Sequence, residues 1–77
     1  MMNNDKYIFK PVERAKVLQD KTIKYVAENK VGISQVYLGK ILSGKIHCSK
    51  IVANRIALSI CKDAKLEDYF EVIKWMN

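Results

Sequence analysis

An all-α domain of five helices is the fold class this sequence predicts, and three observations predict it. Apolar residues recur at helical spacing through Val52, Ala53, Ile56, Ala57 and Ile60, the stripe of a helix with one buried face. Helix start and stop signals stand at matched places, with Ser34 before and Gly44 after one run and Ser49 before the next. Of the 77 residues, 49% are apolar, enough for one small core without metal or disulfides but too short a chain for a second, ligand-sensing domain.

Residues 1–10 read as an N-terminal arm and 11–77 as the domain proper. The arm is polar, then briefly apolar at Tyr7, Ile8 and Phe9 without helical spacing, so it is a tethered tail or a short extended segment packed on the body. Pro11 suits a first helical position, and from it Val12, Ala15 and Leu18 mark the inward face of helix 1. Ile23, Val26 and Ala27 mark helix 2, ending near Asn29 or Lys30. A single helix over 11–29 would also keep one broad apolar face. A break is favoured because Asp20-Lys21-Thr22 offers two capping side chains and a compact bundle needs the chain to turn. Helix 3 runs over about 34–43, and helix 4 follows the loop Lys45 to Cys48. After the connector Lys62-Asp63-Ala64, the residues Leu66, Tyr69, Phe70, Ile73 and Met76 mark helix 5, with Glu67 and Asp68 in its first turn, where the helix dipole favours acids. No sheet is expected.

Helix 3 carries the functional signal. Counting 100° per residue from Ser34 gathers Tyr37, Leu38, Ile41 and Leu42 on one side and Gln35, Val36, Gly39 and Lys40 on the other. The second face mixes an amide, a cation, a bare β-branched residue and a glycine, and a nucleic-acid groove accounts for that mixture better than water does. Gln35 can pair with adenine, Lys40 can reach guanine or a phosphate, Val36 can touch a thymine methyl, and Gly39 lets the helix axis come close. With Gly32 making the turn ahead of it, the segment Val31 to Lys45 reads as a helix-turn-helix presenting its recognition helix.

Charge agrees with a polyanionic partner. Fourteen Lys and Arg against eight Asp and Glu give +6, and the basic residues Lys40, Lys45 and Lys50, with His47, fall in or just after helix 3, while Glu67, Asp68 and Glu71 collect near the C-terminus. Cys48 and Cys61 have no C-x-x-C spacing and only one histidine to help them, so no metal site and no cofactor is expected. Both read as reduced thiols, Cys61 as a small core residue at the end of helix 4. No run of about 18 apolar residues exists and the polar start lacks a signal-peptide core, so a cytoplasmic protein with no membrane partner is expected.

With these elements in place, the stretch V-A-E-N-K-V-G-I-S-Q-V-Y-L-G-K-I-L-S-G-K, followed by S-K-I-V-A-N-R-I-A-L-S-I and K-L-E-D-Y-F-E, resembles the DNA-binding domain of Cro/CI-type phage repressors, the XRE family of helix-turn-helix proteins. The likeness covers about Val12 to Val72 and looks like that of a divergent, phage- or mobile-element-type member. The resemblance implies that Ser34 contacts a phosphate and that Gln35, Val36, Gly39 and Lys40 face bases. It also implies that Lys45, with the start of helix 2 at Thr22 and Ile23, clamps the DNA backbone, and His47 and Lys50 extend the phosphate-contacting set. In the family the helix-2 alanine stands four residues before the turn glycine. Here Ala27 and Gly32 are five apart, so one residue is inserted in or before the turn.

The function expected is therefore sequence-specific double-stranded DNA binding, in a repressor-like transcriptional regulator acting as a homodimer, since a monomer's few base contacts cannot select one site in a genome. Val72 and Trp75 fall on the side of helix 5 away from Leu66 and are the expected dimer contact, unless Trp75 folds back on the core of its own chain. A second class remains, a helical scaffold that binds a protein as an inhibitor or antitoxin-like partner, but such a surface would carry aromatic anchors on helix 3, and the outward four include none. An enzyme lacks a mechanism in this sequence, with no activated nucleophile, no paired carboxylates and no phosphate loop, and no small-molecule ligand is expected.

Overall fold

The computed structural model describes residues 6–73. Strand β1 (Lys6–Phe9) leads through a 3-10 turn (Pro11–Glu13) into α1 (Arg14–Leu18). Next come α2 (Ile23–Tyr25) with its π-helical continuation Val26–Val31, α3 (Gln35–Leu42), α4 (Lys50–Ile60), the single turn α5 (Leu66–Tyr69), and strand β2 (Phe70–Ile73). The two strands pair antiparallel, Lys6 opposite Ile73 and Phe9 opposite Phe70.

The all-α expectation is thereby corrected to a mixed fold, mostly helical with a two-stranded sheet. Helix 5 stops after Tyr69, because Phe70 turns to an extended backbone (φ −131°, ψ 149°) and the chain continues as strand. Leu66, Tyr69, Phe70 and Ile73 fit a helical stripe, yet Val72 and Ile73 are β-branched and favour a pleated surface. What decides between the two is β1, whose Tyr7 and Phe9 are buried while Lys6 and Ile8 are half-buried, a period of two that the run of three apolar residues hides. The rings of Phe9 and Phe70 meet edge to face at 5.3 Å, with Tyr7 and Phe70 at 6.4 Å, so strand pairing also assembles an aromatic cluster. Of the residues assigned to helix 5, Trp75 and Met76 lie outside the described residues.

The helical part follows its caps. Thr22, Ser34 and Ser49 are N-caps whose side-chain oxygens accept from the backbone N–H of Tyr25, Tyr37 and Val52. Between α1 and α2 the chain turns as expected, without glycine: Gln19 and Asp20 adopt left-handed backbone at φ 50° and 66°. Helix 1 is shorter than its sequence pattern, and its face differs. Val17 is buried, Leu18 half-buried, and Ala15 and Val12 point to solvent, Val12 being 86% exposed. Because the first turn from Pro11 is 3-10 rather than α, the 3.6-residue phase counted from that proline is wrong by the time the chain packs α1 on α4.

The core joins Val17, Val26, Ala27, Leu38, Ile41, Leu42, Ala53 and Ile56 with the aromatic cluster. Cys48 belongs to this core and Cys61 is exposed, the reverse of the expectation for Cys61. The reason is a bridge in the loop before α4: Tyr7 N–H donates to the Cys48 carbonyl (3.0 Å) and Cys48 N–H donates to that of Tyr7 (2.8 Å), which holds Cys48 against β1. Burial pushes its thiol up to about 11.

Candidate nucleic-acid interface

Helices α2 and α3 pack on one another across the turn at Gly32. Gly32 is left-handed at φ 82°, a conformation only glycine adopts without strain. Upstream of that turn the helix widens. Over Val26–Val31 the backbone runs as π-helix, and the N–H groups of Gly32 (2.7 Å) and Ile33 (2.9 Å) both reach back to the Ala27 carbonyl. This π-helical course lets Val26, Ala27 and Val31 all stay buried while α3 starts at its capping serine.

On α3, Leu38, Ile41 and Leu42 are fully buried and Tyr37 is half-buried, while Gln35, Val36 and Lys40 are exposed, Val36 at 67%. Gly39 sits among them in mid-helix. It has no positive φ, and a Cβ built on it meets nothing within 4 Å. Neither backbone conformation nor packing therefore calls for glycine there, although glycine in a helix interior costs about 1 kcal/mol relative to alanine. Gly44 has the opposite character. Its φ is 78° and a Cβ would stand 3.2 Å from the Pro11 ring. It closes α3 in a Schellman motif, Gly44 N–H to the Ile41 carbonyl and Lys45 N–H to the Lys40 carbonyl, with the Ser43 hydroxyl also donating to Lys40.

The other residues read from the sequence lie on the segments before and after this helix. Ser34 is exposed, its Oγ already accepting from Tyr37 N–H at 3.1 Å, so it has its own hydrogen left to donate. Lys45 and His47 are exposed in the loop after α3 and Lys50 is exposed at the start of α4, and among the described residues none of Lys40, Lys45 and Lys50 makes an ion pair. Thr22 is exposed at the start of α2. The side chain of Ile23 packs on the core instead, which leaves its backbone N–H as the group that could meet a phosphate. Val72 lies on β2, which pairs with β1 and packs on α5, and Trp75 lies outside the described residues.

Sequence reasoning missed Arg55. The apolar stripe of helix 4 marks only its buried face and carries no sign of this residue. The α4 helix packs against the π-helical segment, and a Cβ on Gly32 would lie 3.9 Å from Nη1 of Arg55, so this exposed guanidinium flanks the turn that precedes α3. Lys10, by contrast, is held to the body, its Nζ donating to the Glu67 carbonyl at 2.9 Å.

No helix among the described residues is long and apolar enough to cross a membrane. Set against family models, characterised proteins and solved structures, the chain matches none.

Proposed function

We propose that this protein is a sequence-specific double-stranded DNA-binding regulator of transcription of Cro/CI-like type, acting in the cytoplasm as a dimer that lays α3 in the major groove. The observation that carries the reading is Gly39. A helix that accepts a mid-helical glycine on an exposed face, with open space around it and no backbone need, gains nothing within the monomer. It gains a close approach to a flat-edged partner. Its neighbours Gln35, Val36 and Lys40 supply an amide, an apolar contact and a cation, the repertoire that reads base edges.

The backbone-positioning contacts would come from Ser34, Thr22 and the N–H of Ile23 on one side, and from Lys45, His47 and Lys50 on the other. The mechanism is occlusion: a domain bound across a promoter blocks access to it. Selection of bound duplexes from a random pool tests it. The expected product is a short palindromic site. A pool that stays random after repeated rounds would refute sequence-specific binding.

A further inference from the structure

Helix α4 turns Ala53, Ile56 and Ala57 into the core, and at 100° per residue the direction opposite to them belongs to Ile51, Arg55 and Leu58. Two large aliphatic side chains therefore stand where a helix buried on one face should be most polar. Ile51 is 68% exposed and Leu58 55%. Seven residues apart, they lie about 10 Å from one another along the helix axis, on one line of its surface, with the Arg55 guanidinium between them. Lone exposed aliphatic residues are ordinary, but two in register along a helix, flanked by charge, have the layout of a helix-pairing seam. The packing of α4 on the π-helical segment, α1, α5 and β1 leaves this line uncovered.

Charge decides what such a seam accepts. With Ile51 and Leu58 both at heptad position a, Asn54 falls at d, Lys50 at g and Arg55 at e. Both flanking positions are cations, α4 carries no acidic residue, and among the described residues neither Lys50 nor Arg55 makes an ion pair. In a parallel pair of α4 helices Lys50 would face Arg55 of the other copy, and in an antiparallel pair Arg55 would face Arg55. A second copy is repelled either way, whereas a helix with carboxylates at its flanking positions is attracted in both directions. We infer that the outward face of α4 is a docking surface for an acidic amphipathic helix of a partner protein, whose apolar residues pack against Ile51 and Leu58 while its carboxylates meet Arg55 and Lys50. Arg55 reaches toward the turn at Gly32, its Nη1 3.9 Å from the position of a Cβ there, so one row of carboxylates runs beside the π-helical segment. The surface lies on α4 rather than α3, and its occupation requires nothing of DNA. Lys50 alone is also placed at the DNA backbone, so the test varies Arg55 instead.

The probe is a fluorescein-labelled synthetic helix with Leu at its a and d positions and Glu at e and g, and its control is the same helix with Lys at e and g. Fluorescence anisotropy should show saturable binding of the Glu helix at sub-millimolar concentration and binding of the Lys helix weaker by about tenfold or more. Arg55→Glu, at an exposed position that leaves the circular dichroism unchanged, should weaken the Glu helix about tenfold and strengthen the Lys helix. Such a reversal separates a defined surface from the general pull of a +6 chain, in which one cation of fourteen matters little. Amide chemical-shift changes on adding the Glu helix should centre on Ile51, Arg55 and Leu58. Changes centred on Gln35 and Lys40 would make the peptide an imitation of a phosphate backbone and overturn the proposal. Equal binding of the two helices, no saturable binding by the wild type, or an Arg55→Glu variant with unchanged preference each overturns it as well. So does a wild type whose Ile51 and Leu58 amides shift on dilution alone, which would give the face to a second copy.

Discussion

Replacing Gly39 by alanine should move stability and DNA affinity in opposite directions. In the free protein the new methyl meets no atom within 4 Å and the backbone is already helical, so no clash offsets the gain in helix propensity. That gain is about 1 kcal/mol at an interior helical position, which for a domain of this size raises the melting temperature by about 4 to 8 °C. On DNA the same methyl occupies the space through which the helix approaches the groove. It should weaken binding to the selected site by about 1–3 kcal/mol, the scale of one good base contact. Thermal melting followed by circular dichroism reads the first effect, and titration of a labelled duplex reads the second. Gly44→Ala supplies the contrast: at φ 78° and with the Pro11 ring 3.2 Å from the new Cβ, it should lower the melting temperature. If Gly39→Ala binds its duplex as tightly as the wild type, the glycine is not there for DNA and the argument for the interface fails. If it melts lower, the open space beside residue 39 has been misjudged.

Gln35→Ala and Lys40→Ala should each lose affinity for the selected duplex more than for a scrambled one; equal losses would make both residues phosphate contacts only. Lys45→Ala should weaken both duplexes alike and flatten the salt dependence by about one unit for each symmetry-related contact, whereas an unchanged slope would remove Lys45 from the docking face. At pH 8 iodoacetamide should modify Cys61 rapidly in the native protein and leave Cys48 untouched. The native state keeps the Cys48 proton, its thiol being raised from 9.0 to about 11, while the unfolded chain releases it above pH 9, so this thiol's contribution to native stability falls as pH rises from 9 to 11. Phe70→Ala removes the ring that joins both strands and should cost about 3–5 kcal/mol, which unfolding in urea would show as a large fall in midpoint.

Local chemistry was enough to read α3 and α4 from the sequence, but not the face of helix 1 or the end of helix 5. The capping roles of Thr22, Ser34 and Ser49, the left-handed glycines at 32 and 44, and the buried faces of α3 and α4 depend on groups within one or two turns of each other, and such groups sit close together in the chain. The face carrying exposed Gln35, Val36 and Lys40 around half-buried Gly39 was legible for the same reason, since burying one side of a short helix fixes the other. Tertiary structure alone decided the rest. Residues 70–73 satisfy a helical stripe and a strand about equally, and β1, more than sixty residues earlier in the chain, settles the choice by offering an edge and two aromatic rings. Cys48 is buried because Tyr7 holds its backbone, Arg55 flanks the turn because α4 packs on the π-helical segment, and Val26–Val31 runs as π-helix with Val26, Ala27 and Val31 all in the core. Each is a contact between distant parts of the chain, and spacing along a sequence carries no record of which distant parts will meet.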